Sequence, residues 1–219
     1  MEFNIPSLNV RGLNNNSKRK KVFKWCENYD IVCLQETFCT KEKIAEFDKD
    51  WDGMIHHSVT DSPHSRGVLT LIRANKNIIC TEHHASYDGR ILLTKLNVNE
   101  SIISVVNVYA PTNMKDKADF LKRLKFWIRW YVVEDEKLTR AGDMNTDIDG
   151  KTTRNTTDSN SKLLLNILKC MKMVDTWKSV NRDDSNRYTW VSPANPQMQS
   201  RIDYIFISED MLNYVNHSK

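Results

Sequence analysis

The sequence predicts an α/β sandwich, two sheets facing each other with helices outside. Short runs enriched in β-branched residues, each bounded by Asp, Gly, Asn or Pro, alternate with segments whose apolar residues recur at spacings of three and four. Two of the β runs are parted by a short polar gap, which brings antiparallel pairing into the fold. A doubly wound parallel sheet is the alternative, but its glycine-rich phosphate loop is absent from the sequence.

In chain order, "SLNV" reads as a strand ending near Asn9. Val22, Trp25, Cys26 and Tyr29 then form one apolar helical face, with Ser17 as its cap. "IVCLQ" (31–35) and "GVLTLI" (67–72) follow as strands of a largely buried sheet. "ILLTKLNV" (91–98) and "IISVVNVY" (102–109) flank "NES" (99–101), which suits a tight hairpin. Phe120, Leu121, Leu124, Trp127, Ile128 and Tyr131 make a second helix, and Leu163, Leu164, Ile167, Leu168 and Met171 a third, capped by Ser159 or Ser161. The stretch 151–161 has no apolar residue and reads as an exposed loop.

With 219 residues, 40% hydrophobic and 27% charged, the chain has room for one sizeable core, and no linker divides it, so one domain over 1–219 is expected. No stretch approaches the apolar length that crosses a bilayer, and the N-terminus lacks a basic region followed by a long apolar run; no membrane partner and no secretion are expected. Cys26, Cys33, Cys39, Cys80 and Cys170 are odd in number, without paired metal-ligand spacing, which favours a reducing compartment. The net charge of +4 is concentrated in "SKRKK" (17–21), a solvated helix start or a phosphate-facing patch. His56, His57, His64, His83 and His84 lack metal-ligand spacing with acidic partners and are expected at surface or rim positions.

Polar residues gather where strands end: Asn9, Glu36, Asn107 and Tyr109, Asp143 and Asn145, and Asp203. Any one alone reads as a turn former or helix cap. Together, strand-end side chains point into loops at a common rim, where an oxygen-rich cluster suits Mg²⁺ and a phosphate substrate. In an extended "DMN", Asp143 and Asn145 share one face while Met144 turns into the core.

"LNVRGL", "CLQET", "NVYAP", "GDMN" and "RIDYIFIS", in this order over residues 7–208, resemble the motifs of the endonuclease/exonuclease/phosphatase superfamily, in particular its apurinic endonuclease-like branch. Within it, "SLNVRGLNNNSKRKKVFKWCENYDIVCLQET" and "AGDMNTDID" are most similar to the endonuclease domain of a LINE-type (non-LTR) retrotransposon polyprotein. The resemblance implies the DNase I-like four-layer sandwich, with two mixed, largely antiparallel sheets. It implies Glu36 as ligand of Mg²⁺, for which Mn²⁺ substitutes, with Asn9 supporting metal and glutamate. It implies Asp143 activating water, Asn145 holding that water or a phosphate oxygen, Tyr109 bonding the scissile phosphate, and Asn107 bracing its neighbours. Asp203 matches the aspartate that orients a catalytic histidine in a later Ser-Asp-His motif; that motif is not found, and His217 is the sole histidine after Asp203. A domain cut short of its last strands, binding Mg²⁺ and DNA but cleaving poorly, is the expectation.

Arg11 stands where many relatives carry a small or acidic residue, which turns the expectation there toward a phosphate. Double-stranded DNA is the implied partner, met by loops bearing Arg66, Lys115, Lys117, Lys151, Arg154 and Arg187. Thr189, Trp190, Asp175 and Trp177 match family positions near the site floor, with Thr189 and Trp190 expected to touch DNA and Trp190 equally readable as core. The implied activity is a nick that leaves a 3′-hydroxyl to prime reverse transcription by the rest of the polyprotein, in the nucleus after synthesis in the cytoplasm. An apurinic-site repair endonuclease and a catalytically weak DNA-binding module remain alternatives. A phosphoinositide or sphingomyelin phosphatase is less favoured by the basic helix start.

Overall fold

The computed structural model describes residues 4–74, 77–133, 136–149, 158–181 and 187–218. The chain divides into two compact units, one of residues 1–109 and 140–142, the other of 110–139 and 143–219. The fold is α/β with two mixed sheets. Among the described residues no helix is long and apolar enough to cross a membrane.

The first unit contains a sheet of β1 (Ser7–Asn9), β2 (Ile31–Gln35), β4 (Val68–Arg73) and β3 (Gly53–Ser58), in that spatial order. β1 and β2 are parallel, and β4 is antiparallel to both β2 and β3. Every residue of β2 is buried, because both faces of the sheet are covered. On one face Val32, Leu34, Leu69 and Leu71 pack with Phe23 and Cys26 of α1 (Asn16–Cys26), and with Phe47 and Trp51. Phe23 meets Phe47 and Trp51 edge-on, at centroid distances of 5.7 and 5.9 Å. On the other face lie strands of the second sheet, β5 (Ile78–Ala85), β6 (Ile91–Val98) and β7 (Ser101–Tyr109), joined as antiparallel neighbours. The centre of β8 (Lys137–Asp143) also belongs to this unit.

The β6–β7 hairpin turns at Asn99 and Glu100, both at positive φ (49° and 67°), the conformation that the right-handed twist of a two-residue hairpin demands. α1 differs from expectation in two ways. Asn15, not Ser17, caps it, its side chain accepting from the Lys18 N–H. Its buried face is Arg19, Phe23 and Cys26, while Trp25 is exposed and packs on Tyr29. Arg19 of the basic run therefore points inward: it bonds Asp50 at 2.9 Å, donates to the Leu13 carbonyl and stacks over Phe47.

The second unit holds α3 (Met114–Tyr131), α4 (Ser159–Cys170), α5 (Thr176–Val180), β9 (Met173–Asp175), β12 (Asp203–Ser208), the short pair β10 (Trp190–Val191) and β11 (Gln199–Ser200), and the ends of β8. β12 lies between β8 and β9. α3 buries Phe120, Leu121, Leu124 and Ile128 as its periodicity predicts, and α4 buries Leu164, Ile167 and Leu168. Asp158 occupies the cap position of α4, ahead of both serines. Lys151 and Arg154 lie outside the described residues. The short α2 (Lys41–Ile44) belongs to the first unit.

Candidate functional site

In the first unit, parallel pairing of β1 with β2 sets Asn9 opposite Gln35, so Asn9 and Glu36 emerge at the same end of adjacent strands. Beyond that point, segments 10–13 and 35–37 run side by side through Val10 N–H to Gln35 O, Gly12 N–H to Glu36 O and Leu13 N–H to Thr37 O. A third segment closes the other side, where Thr37 and Phe38 donate to the carbonyls of Gly67 and Arg66. Glu36 is held between them at φ 51°, a left-handed conformation unusual for a residue with a Cβ. Its half-buried carboxylate has no hydrogen bond or ion pair among the described residues. Asn9 Oδ1 accepts the Arg11 N–H at 3.2 Å, and Arg11, itself at φ 47°, is exposed. Arg66 is exposed at φ 63°. Gly67 must be glycine: a Cβ there would lie 2.4 Å from Thr37 Oγ1.

Beneath this rim, Asn107 on β7 is fully buried and braces three strands. Its Nδ2 donates to Leu34 O (3.2 Å) and Leu69 O (2.7 Å), and its Oδ1 accepts from Gln35 Nε2 (2.8 Å). Tyr109, two residues on, projects to the same side as Asn107. Its backbone is bracketed by Arg90, whose carbonyl accepts the Tyr109 N–H and whose guanidinium donates to the Tyr109 carbonyl and lies 5.1 Å from the ring centroid. Arg90 was not anticipated; an arginine before a β run, 19 residues from Tyr109, gives no sign of the contact.

In the second unit, Asp143 ends β8 and is 3% exposed. The chain does not stay extended through Asn145, which sits at φ 45°. The Asp143 Oδ1 accepts the Asn145 N–H at 2.8 Å, so a turn closed by a carboxylate, rather than strand alternation, sets the two side chains. Met144 does enter the core. Ala110, the residue after Tyr109, ties both: its N–H donates to Asp143 O and its carbonyl accepts from Asn145 Nδ2, each at 2.8 Å. Among the described residues Asn145 Oδ1 has no partner.

Lys117, expected as a DNA-facing loop lysine, is instead buried on α3, its ammonium on the Asn145 carbonyl. Burial lowers its pKa, and the charges of Asp158 and Asp143 oppose that shift. Lys115 is exposed in the first turn of α3. Thr189 Oγ1 accepts the N–H groups of both Ile202 and Asp203 at 3.1 Å, fixing the start of β12. Trp190 is half-buried in β10, Arg187 lies over Tyr188, and His217 is exposed. The arginine of "RIDYIF" proves central to this unit: Arg201, 2% exposed, bonds both Asp149 and Asp175 and sits over Trp177 and Tyr204.

His64 and His83 are exposed as expected, and His56 is at the rim of a cleft, half-buried with its Nε2 shielded. Burial, with His83 and His57 beside it, pushes His56 down to about 4. Cys26 and Cys33 are pushed up to about 12 and Cys39 to about 11 by burial, so these thiols are inert at neutral pH.

Comparison with known proteins finds a match over residues 1–217 to the model described as Endonuclease/Exonuclease/phosphatase family. The transposon TX1 uncharacterized 149 kDa protein of Xenopus laevis is 28% identical over 227 residues, covering 100% of this chain, and the chain spans 17% of that protein's length. The Xenopus laevis APE2 catalytic domain superposes with a TM-score of 0.73 at 18% identity, over 95% of this chain and 83% of that one. The endonuclease domain of TRAS1, a telomere-specific non-LTR retrotransposon, superposes at 0.68 with 14% identity, over 100% of this chain and 90% of that one.

Proposed function

The chain belongs to the Endonuclease/Exonuclease/phosphatase family, and from that premise we propose that it is a metal-dependent DNA endonuclease, the nicking part of a non-LTR retrotransposon polyprotein. The observation that carries this reading is Glu36, a half-buried carboxylate held at strained φ with no partner among the described residues. Strain of this kind costs roughly 1–3 kcal/mol and persists where the surroundings enforce it, commonly at functional sites. A hard divalent cation wants such an oxygen, and with the Asn9 amide oxygen the donors fit Mg²⁺ or Mn²⁺. Bound there, the ion supplies positive charge toward the oxygens of the scissile phosphodiester.

The protein's own groups do the rest. Asp143, its Oδ1 fixed by the Asn145 N–H, takes the proton from the attacking water. Asn145, its amide oriented by the Ala110 carbonyl, holds that water or a phosphate oxygen. Tyr109 donates its hydroxyl to the phosphate, and Asp203, its N–H held by Thr189 Oγ1, stands where the resemblance implies an aspartate that orients a histidine of a later motif. The P–O3′ bond breaks and the leaving 3′-oxygen takes a proton from solvent, giving a 3′-hydroxyl and a 5′-phosphate. Arg11, Arg66, Lys115, Arg187 and Trp190 face the DNA in this reading. The nick primes reverse transcription, in the nucleus, by other parts of a longer polyprotein; the transposon TX1 relative is a 149 kDa protein of which this chain spans 17%.

The test is nicking of supercoiled plasmid with Mg²⁺, comparing the chain with Asp143→Ala and Glu36→Ala. A low yield of nicked circles with ends extendable by a DNA polymerase, lost in both variants, is expected. Nicking that survives Asp143→Ala overturns the mechanism, DNA binding without nicking in any form favours a binding module, and a strong preference for abasic duplex favours the repair enzyme.

A further inference from the structure

Away from these residues, the first unit brings two imidazoles and a thiol together. His56 lies on β3, the outer strand of the four-stranded sheet; Cys80 and His83 lie on β5, the outer strand of the other. One ligand atom from each, two imidazole nitrogens and a sulfur, fall within 4.8 Å of one another, and the two rings lie 4.4 Å apart. Regular strand alternation forbids this, since residues three apart face opposite ways. A bulge restores it. Cys80 pairs with Leu96, Glu82 with Lys95 and His83 with Thr94, so Thr81 is the extra residue and Cys80 and His83 come to the same face.

The His56 Nε2 is buried with no hydrogen-bond partner among the described residues, a condition buried polar atoms rarely keep without an unseen ligand. The Cys80 thiol donates only to the Glu82 carbonyl at 3.6 Å. The nearest carboxylate on β5, Glu82, is committed to His84 and Lys95. A donor set of two imidazoles and a sulfur selects a borderline metal over a hard one.

We propose that His56, Cys80 and His83 bind a zinc ion, a second metal site distinct from the phosphodiester chemistry. Zinc with two nitrogens and a sulfur holds its ligand atoms about 3.5 Å apart, so these close by about 1 Å through side-chain rotation. The Cys80 sulfur releases its proton to solvent as it takes the ion, and the two neutral rings contribute lone pairs. His56 and His83 also line a cleft of about 600 Å³ with His57, Ser58, Thr60 and Tyr87, and a water molecule from it would supply the fourth ligand. The ion clips the outer strands of the two sheets together.

Tag-free, metal-stripped full chain is titrated with zinc alone, and with Co²⁺ as a spectroscopic probe. One equivalent binds, raises Tm, and the Co²⁺ form shows sulfur-to-metal charge transfer with the intense d–d bands of a four-coordinate ion. Cys80→Ser removes the charge-transfer band. His83→Asn, at an exposed position that spares the fold, weakens zinc on the order of 100-fold or more. Cys170→Ser, the exposed thiol elsewhere, changes nothing. Absence of stoichiometric binding, or equal binding by the Cys80 and His83 variants, overturns the proposal. None of these readouts involves nicking, so their failure leaves the nuclease reading untouched.

Discussion

Replacing Asn107 with alanine should destabilise the protein through the two carbonyls it leaves behind. In the native chain the Asn107 amide is fully buried and makes three hydrogen bonds, two donated to Leu34 O and Leu69 O and one accepted from Gln35 Nε2. Gln35 Nε2 keeps Ser7 Oγ and the Cys33 carbonyl as acceptors after the change, both at 3.1 Å, so its loss is small. The carbonyls keep the ladder bonds of the directly paired Leu34 and Leu69 but lose their second donor. At roughly 1 kcal/mol net per hydrogen bond lost, the cost is about 2–3 kcal/mol. That is a large fraction of the ~5–15 kcal/mol that holds a domain folded. Urea unfolding followed by tryptophan fluorescence and by circular dichroism measures it, with coincident midpoints checking that one transition is being read. Asn107→Leu separates the causes. It keeps most of the volume, so a cost equal to that of alanine assigns the loss to polar groups, and a much smaller cost assigns it to the cavity. Both variants lying within ~0.5 kcal/mol of the parent, as for an ordinary surface change, would refute the bracing role.

Arg201→Met leaves Asp149 and Asp175 buried without their shared cation, and should cost ~3–5 kcal/mol, read as a fall in urea midpoint. Asp149 carries a pH signature: burial raises its pKa, but Lys178 and Arg201 outweigh burial and hold it below the ordinary carboxylate value. A depressed folded pKa stabilises above the unfolded value of about 3.9 and is lost as pH falls through the folded one, so acid unfolding should begin at higher pH in Arg201→Met; an unchanged acid limb would sink this account. Lys117→Met should cut nicking on the order of 10-fold or more while sparing DNA affinity, because its ammonium holds the Asn145 carbonyl rather than the groove; Lys115→Ala and Arg66→Ala should instead weaken DNA binding and flatten its salt dependence. Gly67→Ala should destabilise by more than ~1 kcal/mol in thermal melts, since its φ of 92° and the 2.4 Å approach to Thr37 Oγ1 leave the methyl no place; a neutral result would mean the 36–38 segment yields easily.

The β elements were legible because their signal is local. "IVCLQ" and "ILLTKLNV" are strands at the predicted residues, since an unbroken apolar run bounded by turn formers has few other readings. The apolar faces of α3 and α4 were legible for the same reason. Charges that fold inward were not. Arg19, Lys117 and Arg201 are each buried, and pattern reading places such residues outside; what brings them in is a partner distant in sequence, Asp50 for Arg19 and the Asp149–Asp175 pair for Arg201. Helix periodicity then mistook Trp25 for core where Arg19 and Phe23 do that work.

At the candidate site the residue types were legible and the backbone that presents them was not. Arg11, Glu36, Arg66 and Asn145 all sit at positive φ, and a non-glycine residue carries no local sign of that. The sign lies next door for two of them. Arg11–Gly12 and Arg66–Gly67 repeat the same dipeptide, both members left-handed, and the two segments grip 36–38 from either side by backbone hydrogen bonds. The glycines are needed because the backbones approach too closely for a Cβ at Gly67 and crowd the Phe38 ring at Gly12. The His56–Cys80–His83 cluster was hidden for a related reason. A period of two separates Cys80 from His83, and only the extra residue Thr81 reunites them, so one bulge converts three unrelated side chains into a donor set that spacing rules pass over.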